Sequence, residues 1–211
     1  MYTMANLTFI APTLSLSTSI AIVGSSGNLR NKKFGSVINQ YDDVVRFNRA
    51  PVKGYEEMVG AKTTLRGANN HVFINLAPSL KGFTCQPPNF IKDLRNSRIL
   101  YMGPGMSQEN KDRHTHSSNS LFVFKFKSLG DLKCAAGFTS PSDPSLGCIV
   151  ICLCVIAGLK PALFGFDLDV KDASRTHYWE ERPSPGPCHK VNYEKDFFNK
   201  LLGQDKIKVF K

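Results

Sequence analysis

Ala21-Ile22-Val23-Gly24-Ser25-Ser26-Gly27-Asn28-Leu29-Arg30 is the stretch on which the reading of this chain turns. With Ser19 and Ile20 before it, the stretch begins as a short β-branched run closed by a glycine, the pattern of a buried strand over Ser19 to Val23. A surface helix over Asn28 to Gln40 is expected next. After the turn residues Tyr41-Asp42-Asp43, a second strand carries Val44, Val45 and Phe47. Strand, glycine turn, helix and strand form the first half of a doubly wound α/β fold with a Rossmann-type, mostly parallel sheet flanked by helices. At such a turn, Gly24-Ser-Ser-Gly27 lets backbone N–H groups and hydroxyls approach an anion closely. A tight turn without any ligand uses glycine in the same way, so spacing alone leaves both readings open. The dinucleotide pattern G-x-G-x-x-G is absent, and no Gly-Lys-Ser/Thr follows for a Walker loop. Asn48 ends the second strand where an NAD enzyme presents Asp or Glu.

Downstream, Phe90 to Asn96 reads as a short helix and Arg98 to Met102 as a strand ended by Gly103-Pro104-Gly105. Glu109 to Asn119 is a polar loop. Leu121 to Leu129 alternates apolar and basic residues and fits a strand or a helix. Asp143-Pro144-Ser145 starts a helix, with Asp143 as cap and proline in the first turn. That helix runs apolar to Ala157, stops at Gly158, and should be buried. Leu163 to Phe166 is a strand, Pro183 to Pro187 a rigid loop, and Val191 to Leu202 a closing helix ended by Gly203. No repeat or linker interrupts the chain, so one domain over residues 1–211 is expected.

The 211 residues and 42% apolar content suit one domain with a sizeable core. No apolar run approaches the roughly 20 residues of a membrane helix, and Met1 to Thr18 lacks a basic leader. The expectation is a soluble chain without anchor or signal peptide. A net charge of +10 implies an anionic partner. The 27 Lys and Arg are scattered, with no long basic block and no nucleic-acid module, so a polyanionic small molecule or surface accounts for the charge as well as nucleic acid does. None of the six cysteines forms a C-x-x-C pair, and Cys148 and Cys152 read as small core hydrophobes in a reducing, cytoplasmic-type compartment. His114-Thr115-His116 has ligand-like spacing but no third ligand nearby, so no metal is expected.

Further segments sharpen the function. They are Val45-Arg-Phe-Asn-Arg-Ala-Pro51, Val59-Gly-Ala-Lys-Thr-Thr-Leu-Arg66, Asp143-Pro-Ser-Leu-Gly147, His177-Tyr-Trp-Glu180 and His189-x-x-x-x-Glu194. In this order, with the opening stretch, they resemble the large, small, third and very small motifs of the eukaryotic-type sialyltransferases. The resemblance spans roughly Ile20 to Leu76 and Asp143 to Leu202 and leaves the middle unmatched. It implies a single GT-A-like domain and an inverting, metal-independent transfer of sialic acid from CMP-sialic acid to a glycan hydroxyl, with no cofactor. A related sugar acid such as Kdo is the close alternative donor. A nucleotide- or glycan-binding descendant without catalysis is a second class, and a basic nucleic-acid binder a third. Asp167-Leu168-Asp169 has the spelling of a metal-binding D-x-D, but its place after Gly165-Phe166 matches the metal-free family.

The departures matter too. Ile20 and Gly158 stand where the family usually has a cysteine pair that forms a disulfide, which fits a reducing compartment better than a Golgi lumen. Leu146 replaces the usual hydroxyl residue of the small motif, and Ser25 stands where many members have Asn.

By resemblance, His189 is the base that takes the proton from the attacking hydroxyl. Its place just before a helix keeps the ring neutral and able to accept. His177 steadies the charge that builds on the departing CMP phosphate, with Tyr178 assisting. Gly24, Ser25, Ser26, Asn48, Asn69, Ser145 and Gly147 bind the donor, Ser145 through its N–H and the helix dipole. Glu194 supports the site by orienting the loop or His189. Each has a plainer alternative: a surface or loop histidine, a turn-capping Asn, an ordinary helix start, a surface glutamate.

Overall fold

Three strands with no exposed residue form the middle of the sheet: β1 (Ile20–Val23), β2 (Asp43–Phe47) and β3 (Leu65–Asn69). Strands covered on both faces favour continuous apolar runs over an apolar–polar alternation, as in β1. The computed structural model describes residues 16–69, 98–103, 121–125, 129–166, 177–180 and 191–211. Within them, β4 (Arg98–Gly103), β5 (Leu121–Lys125), β6 (Ala162–Phe164) and β7 (Lys208–Phe210) complete a seven-stranded sheet in the order β5-β4-β3-β2-β1-β6-β7. Every pairing is parallel, a stricter outcome than the mostly parallel sheet expected.

Alternation along the strands feeds two cores. Ile20, Ile22, Val45, Phe47 and Leu65 face α4 (Leu146–Ile156) and α5 (Val191–Gly203), packing with Ile149, Cys152, Phe197 and Leu201. Ala21, Val23, Val44 and Phe164 pack on the other side with Leu29, Ile38, Val59 and Tyr178. There, the ring of Phe164 stacks on Phe210 of the edge strand at 4.3 Å, and Phe34 meets it edge-on at 5.5 Å. α4 is the most apolar element, with eight consecutive buried residues from Gly147 to Cys154, in line with the expectation of a buried helix. No helix among the described residues is long and apolar enough to cross a membrane.

Several local expectations are corrected. The single helix over Asn28 to Gln40 is two short pieces, a 3-10 turn (Gly27–Asn31) and α1 (Gly35–Ile38), separated by extended backbone at Lys32 with ψ 147. The break brings Gly35 against α2 (Glu56–Val59) so closely that a Cβ on Gly35 would lie 2.0 Å from the Glu56 carbonyl oxygen. Packing against α2 outweighs continuation of the helix. The cap of α4 is Ser145, whose Oγ accepts the Cys148 N–H at 3.2 Å, rather than Asp143; Pro144 precedes the cap instead of sitting in the first turn. Leu121 to Leu129 divides into β5 and the start of α3 (Leu129–Ala136). β3, β7, α2 and α3 were not expected. The segments expected at Phe90–Asn96, Glu109–Asn119 and Pro183–Pro187 lie outside the described residues.

Candidate active site

The chain steps outward from β1 in both directions, to β2 on one side and to β6 on the other. In open α/β sheets the crevice at such a switch point, beyond the carboxyl ends of the strands, is where ligands bind. Gly24 sits there. Its N–H donates to the Phe164 carbonyl at 2.7 Å, and a Cβ on Gly24 would fall 2.4 Å from the Gly165 oxygen. The missing side chain of Gly24 therefore admits the chain leaving β6. Ser26 caps the 3-10 turn, its Oγ accepting the Asn28 N–H at 3.1 Å.

The third-motif segment is docked directly on this turn. The Tyr178 N–H donates to the Ser25 carbonyl at 3.1 Å, and Ser26 and His177 form an isolated antiparallel bridge. Arg30, 147 residues away in sequence, donates from Nη2 to the His177 carbonyl at 2.9 Å and from Nε to the Tyr178 carbonyl at 3.3 Å. The His177 ring stacks on Trp179 at 4.5 Å with an 11° tilt. Its Nδ1 lies 2.8 Å from Glu180 Oε2, and the side chain is 44% exposed. Tyr178 turns inward, donates its hydroxyl to the Pro51 carbonyl, and meets Tyr55 edge-on at 5.2 Å. Burial pushes the Tyr178 phenol well above its ordinary range, and the positive charges of Arg46 and Arg66 offset only part of that. The hydroxyl therefore stays protonated and acts as a buried donor.

Asn48 and Asn69, expected at the ends of their strands, meet there. The Asn69 N–H donates to Asn48 Oδ1 at 3.1 Å, and the Asn48 N–H to the Gly67 carbonyl at 2.7 Å. Asn48 has φ 45, a left-handed conformation that asparagine tolerates better than most residues. Two fully buried arginines hold the loops around it. Arg66 Nη1 donates to the carbonyls of Asn48 and Ala50, both at 3.0 Å. Arg46 Nη2 donates to the carbonyls of Val59 and Gly60 at 2.6 and 2.9 Å. The carbonyl oxygens around each buried guanidinium replace part of the hydrogen bonding it loses with water.

The third cluster is the start of α4. A Cβ on Gly67 of β3 would lie 3.4 Å from Leu146 Cγ, so the first turn of α4 rests over β3. The Ser145 N–H donates to Glu194 Oε1 at 2.5 Å and its hydroxyl to Glu194 Oε2 at 2.9 Å. The donors expected to hold a ligand at this helix start are thus engaged by a carboxylate from α5. Space beside Gly147 is filled by the rings of Phe166 and Phe47.

The fold therefore joins Gly24, Ser25, Ser26, His177 and Tyr178 in one group and Asn48 with Asn69 in a second, tied to the first through Pro51. Ser145, Gly147 and Glu194 form a third group beside β3. His189, His114, His116, Asp167 and Asp169 lie outside the described residues. Among the described residues no three His, Cys, Asp or Glu side chains are grouped to hold a metal ion. Sequence reasoning assigned nothing to Arg30, Arg46, Arg66 or Glu180. A charge inside the apolar runs Val44-Val-Arg-Phe47 and Leu65-Arg-Gly-Ala68 was the available signal, because buried charges are rare unless partnered.

Known proteins resemble this chain in sequence and in fold. The family model of glycosyltransferase family 29 (sialyltransferase) matches residues 15–98. The human CMP-N-acetylneuraminate-beta-1,4-galactoside alpha-2,3-sialyltransferase is 64% identical over 208 residues, covering 86% of this chain and 54% of that protein. The human CMP-N-acetylneuraminate-beta-galactosamide-alpha-2,3-sialyltransferase 1 is 28% identical, covering 90% of this chain and 58% of that protein. The chain thus spans little more than half the length of the curated relatives it matches. A crystal structure of a mammalian sialyltransferase in complex with Gal-beta-1-3GalNAc-ortho-nitrophenol superposes with a TM-score of 0.62 at 21% identity, over 91% of this chain and 68% of that one. The sialyltransferase CstII from Campylobacter jejuni, in complex with cytidine-5'-monophosphate, gives 0.54 at 17% identity, over 93% and 80%. These two likenesses establish the GT-A-like fold. Motif order, family model and relatives together show that the chain belongs to the eukaryotic-type sialyltransferase family.

Proposed function

We propose that the chain transfers sialic acid from CMP-sialic acid to a glycan hydroxyl by an inverting displacement that needs no metal. The observation that carries this reading is the docking of the His177 segment on the Gly24–Ser26 turn, through the Tyr178 N–H and the Ser25 carbonyl at 3.1 Å. It sets an imidazole beside the switch point of a parallel sheet, where α/β folds receive nucleotides. Supporting it, the 64% identical human relative is named for CMP-N-acetylneuraminate and a beta-1,4-galactoside, so a galactoside is the acceptor class to try first.

In this mechanism the acceptor hydroxyl attacks the anomeric carbon and gives its proton to His189. The bond from that carbon to the CMP phosphate breaks, and His177 meets the negative charge that develops on the phosphate. The Asn48–Asn69 pair and the backbone around Ser25 border the nucleotide. Glu194 holds the start of α5 against the start of α4.

Incubation with CMP-sialic acid and a β-1,4-galactoside, with and without EDTA, tests the reading through CMP release. Turnover that persists in EDTA and is lost in His189→Ala is expected. CMP binding without turnover favours a binding-only descendant, turnover only with a CMP-linked Kdo moves the donor assignment, and loss of turnover on chelation overturns metal independence.

A further inference from the structure

Glu180 entered the sequence reading only as the fourth letter of a motif, yet its carboxylate lies 2.8 Å from Nδ1 of His177. We propose that Glu180 is a positioning residue that keeps a hydrogen on Nδ1 of His177, so that the ring meets its ligand through Nε2 alone. That the ligand is the phosphate of a departing CMP rests on the transferase reading above; the tautomer itself does not.

Three observations carry the inference. First, Glu180 Oε2 lies 2.8 Å from His177 Nδ1. A carboxylate is negatively charged and carries no hydrogen, so at that distance it repels the partial negative charge of a bare Nδ1. A hydrogen on Nδ1 turns the repulsion into attraction, in the neutral ring and in the charged one. The contact departs from the straight N–H···O line, so it acts as a close electrostatic pairing rather than an aligned hydrogen bond.

Second, Nδ1 has essentially no solvent-accessible surface although the side chain is 44% exposed. The exposure is carried by the rest of the ring, so a ligand arriving from solvent cannot reach Nδ1.

Third, the segment is framed against rotation. Oε2 of Glu180 also accepts the His177 backbone N–H at 3.2 Å, and the Glu180 N–H donates to the His177 carbonyl at 3.0 Å. Arg30 Nη2 holds the same carbonyl at 2.9 Å, and Trp179 covers one ring face at 4.5 Å with an 11° tilt. Flipping the imidazole keeps the ring plane but puts Cδ2 where Nδ1 stood, so presenting Nδ1 to a ligand would break the contact with Oε2. The hydrogen bond or ion pair made by one imidazole nitrogen decides what the other can do. With Nδ1 committed, Nε2 accepts when the ring is neutral and donates when it is protonated.

Nitrogen NMR of the full chain labelled with 15N-histidine tests the assignment without any substrate, His177→Gln identifying the His177 signals. As pH is raised until the ring is neutral, the wild type is expected to show a protonated Nδ1 and a bare Nε2. In Glu180→Ala the neutral ring should shift towards the Nε2–H form. Glu180→Gln, whose amide oxygen still accepts, should restore the wild-type pattern. In the transfer assay Glu180→Ala is expected to lower kcat about 10-fold or more, within the range seen when an imidazole loses its orienting partner, and to leave donor KM within about 2-fold. A bare Nδ1 in the wild type, an unchanged tautomer in Glu180→Ala, or an unchanged kcat overturns the proposal. A wild type that shows the expected tautomer but turns over no CMP-sugar overturns the transferase reading and supports the tautomer assignment.

Discussion

The carboxylate of Glu194 seats on Ser145 with both oxygens, taking the backbone N–H at 2.5 Å and the hydroxyl at 2.9 Å. The same Ser145 Oγ accepts the Cys148 N–H at 3.2 Å, so one serine caps α4 and fastens α5 to it. An anion at a helix N-terminus is favoured by the unpaired N–H groups and the dipole, and here the anion is part of the protein.

Removing that anion should be costly. Hydrogen bonds to a charged group are worth about 1.5–3 kcal/mol, and Glu194→Ala is expected to lower unfolding stability by an amount of that order. Ser145→Ala should cost about 1 kcal/mol as a lost cap. Because the two share their bonds, Glu194→Ala/Ser145→Ala should cost less than the sum of the single changes. Urea titrations of the four proteins measure the difference, and strict additivity would show the contact to be idle.

Gly24 is constrained by packing. A Cβ there would lie 2.4 Å from a backbone oxygen that cannot swing aside. Gly24→Ala is expected to destabilise by about 1–3 kcal/mol, the usual cost of overpacking, and to weaken CMP binding by displacing the turn that carries Ser25. Gly130 in α3 is the control, because among the described residues nothing lies within 4 Å of its would-be Cβ. Gly130→Ala should leave stability unchanged or raise it by up to about 1 kcal/mol. Chemical denaturation and calorimetric titration with CMP read both effects.

The loop from Asn48 to Pro51 is held from two sides, by Arg66 on the carbonyls of Asn48 and Ala50 and by the Tyr178 hydroxyl on that of Pro51. Tyr178→Phe leaves that carbonyl without its partner and should cost about 1–3 kcal/mol. It should also weaken CMP binding, because Asn48 shares the loop. A variant that keeps wild-type CMP affinity while losing stability would separate the loop from the nucleotide.

Alkaline pH should destabilise the fold through its buried thiols. Burial is the main cause that pushes the Cys154 thiol up to about 12, and it also raises Cys148 well above the ordinary thiol range. The sign follows from linkage. A group whose folded pKa is raised contributes fully below its unfolded pKa and loses that contribution as pH rises towards the folded value. From roughly pH 9 to pH 12, each such thiol should steepen the loss of stability by about 1.4 kcal/mol per pH unit. Denaturation under reducing conditions across that range should be steep for the wild type and shallower for Cys154→Ala, whatever the baseline cost of the smaller side chain. Equal slopes would remove Cys154 as the source.

Much of the architecture was legible in local sequence. The apolar residues of Ser19 to Val23 and of Val44, Val45 and Phe47 announce buried strands, and the apolar run after Asp143-Pro144-Ser145 to Ala157 announces a buried helix, because burial on all sides demands apolar residues in succession. Elements with mixed signals escaped. β3 contains an arginine and a glycine, and only its neighbours reveal why: Arg66 reaches the carbonyls of the next loop, and Gly67 makes room for Phe47 and Leu146. The broken helix after Gly27 escaped for the same reason, since the break serves the contact between Gly35 and α2.

What the sequence by itself determined is the inventory and order of the motifs, and hence the fold class and the family. Those follow from periodicity, glycine placement and residue type, which are properties of neighbours along the chain. Only the tertiary structure decided which groups face one another: Glu180 on the His177 ring, Arg30 on the carbonyls of His177 and Tyr178, Glu194 on Ser145. Glu180 shares a turn with His177, but the other partners come from different turns, helices and strand ends. Their pairing depends on directions in space that a parallel sheet sets when it brings distant carboxyl ends to one edge, and no local pattern encodes those directions.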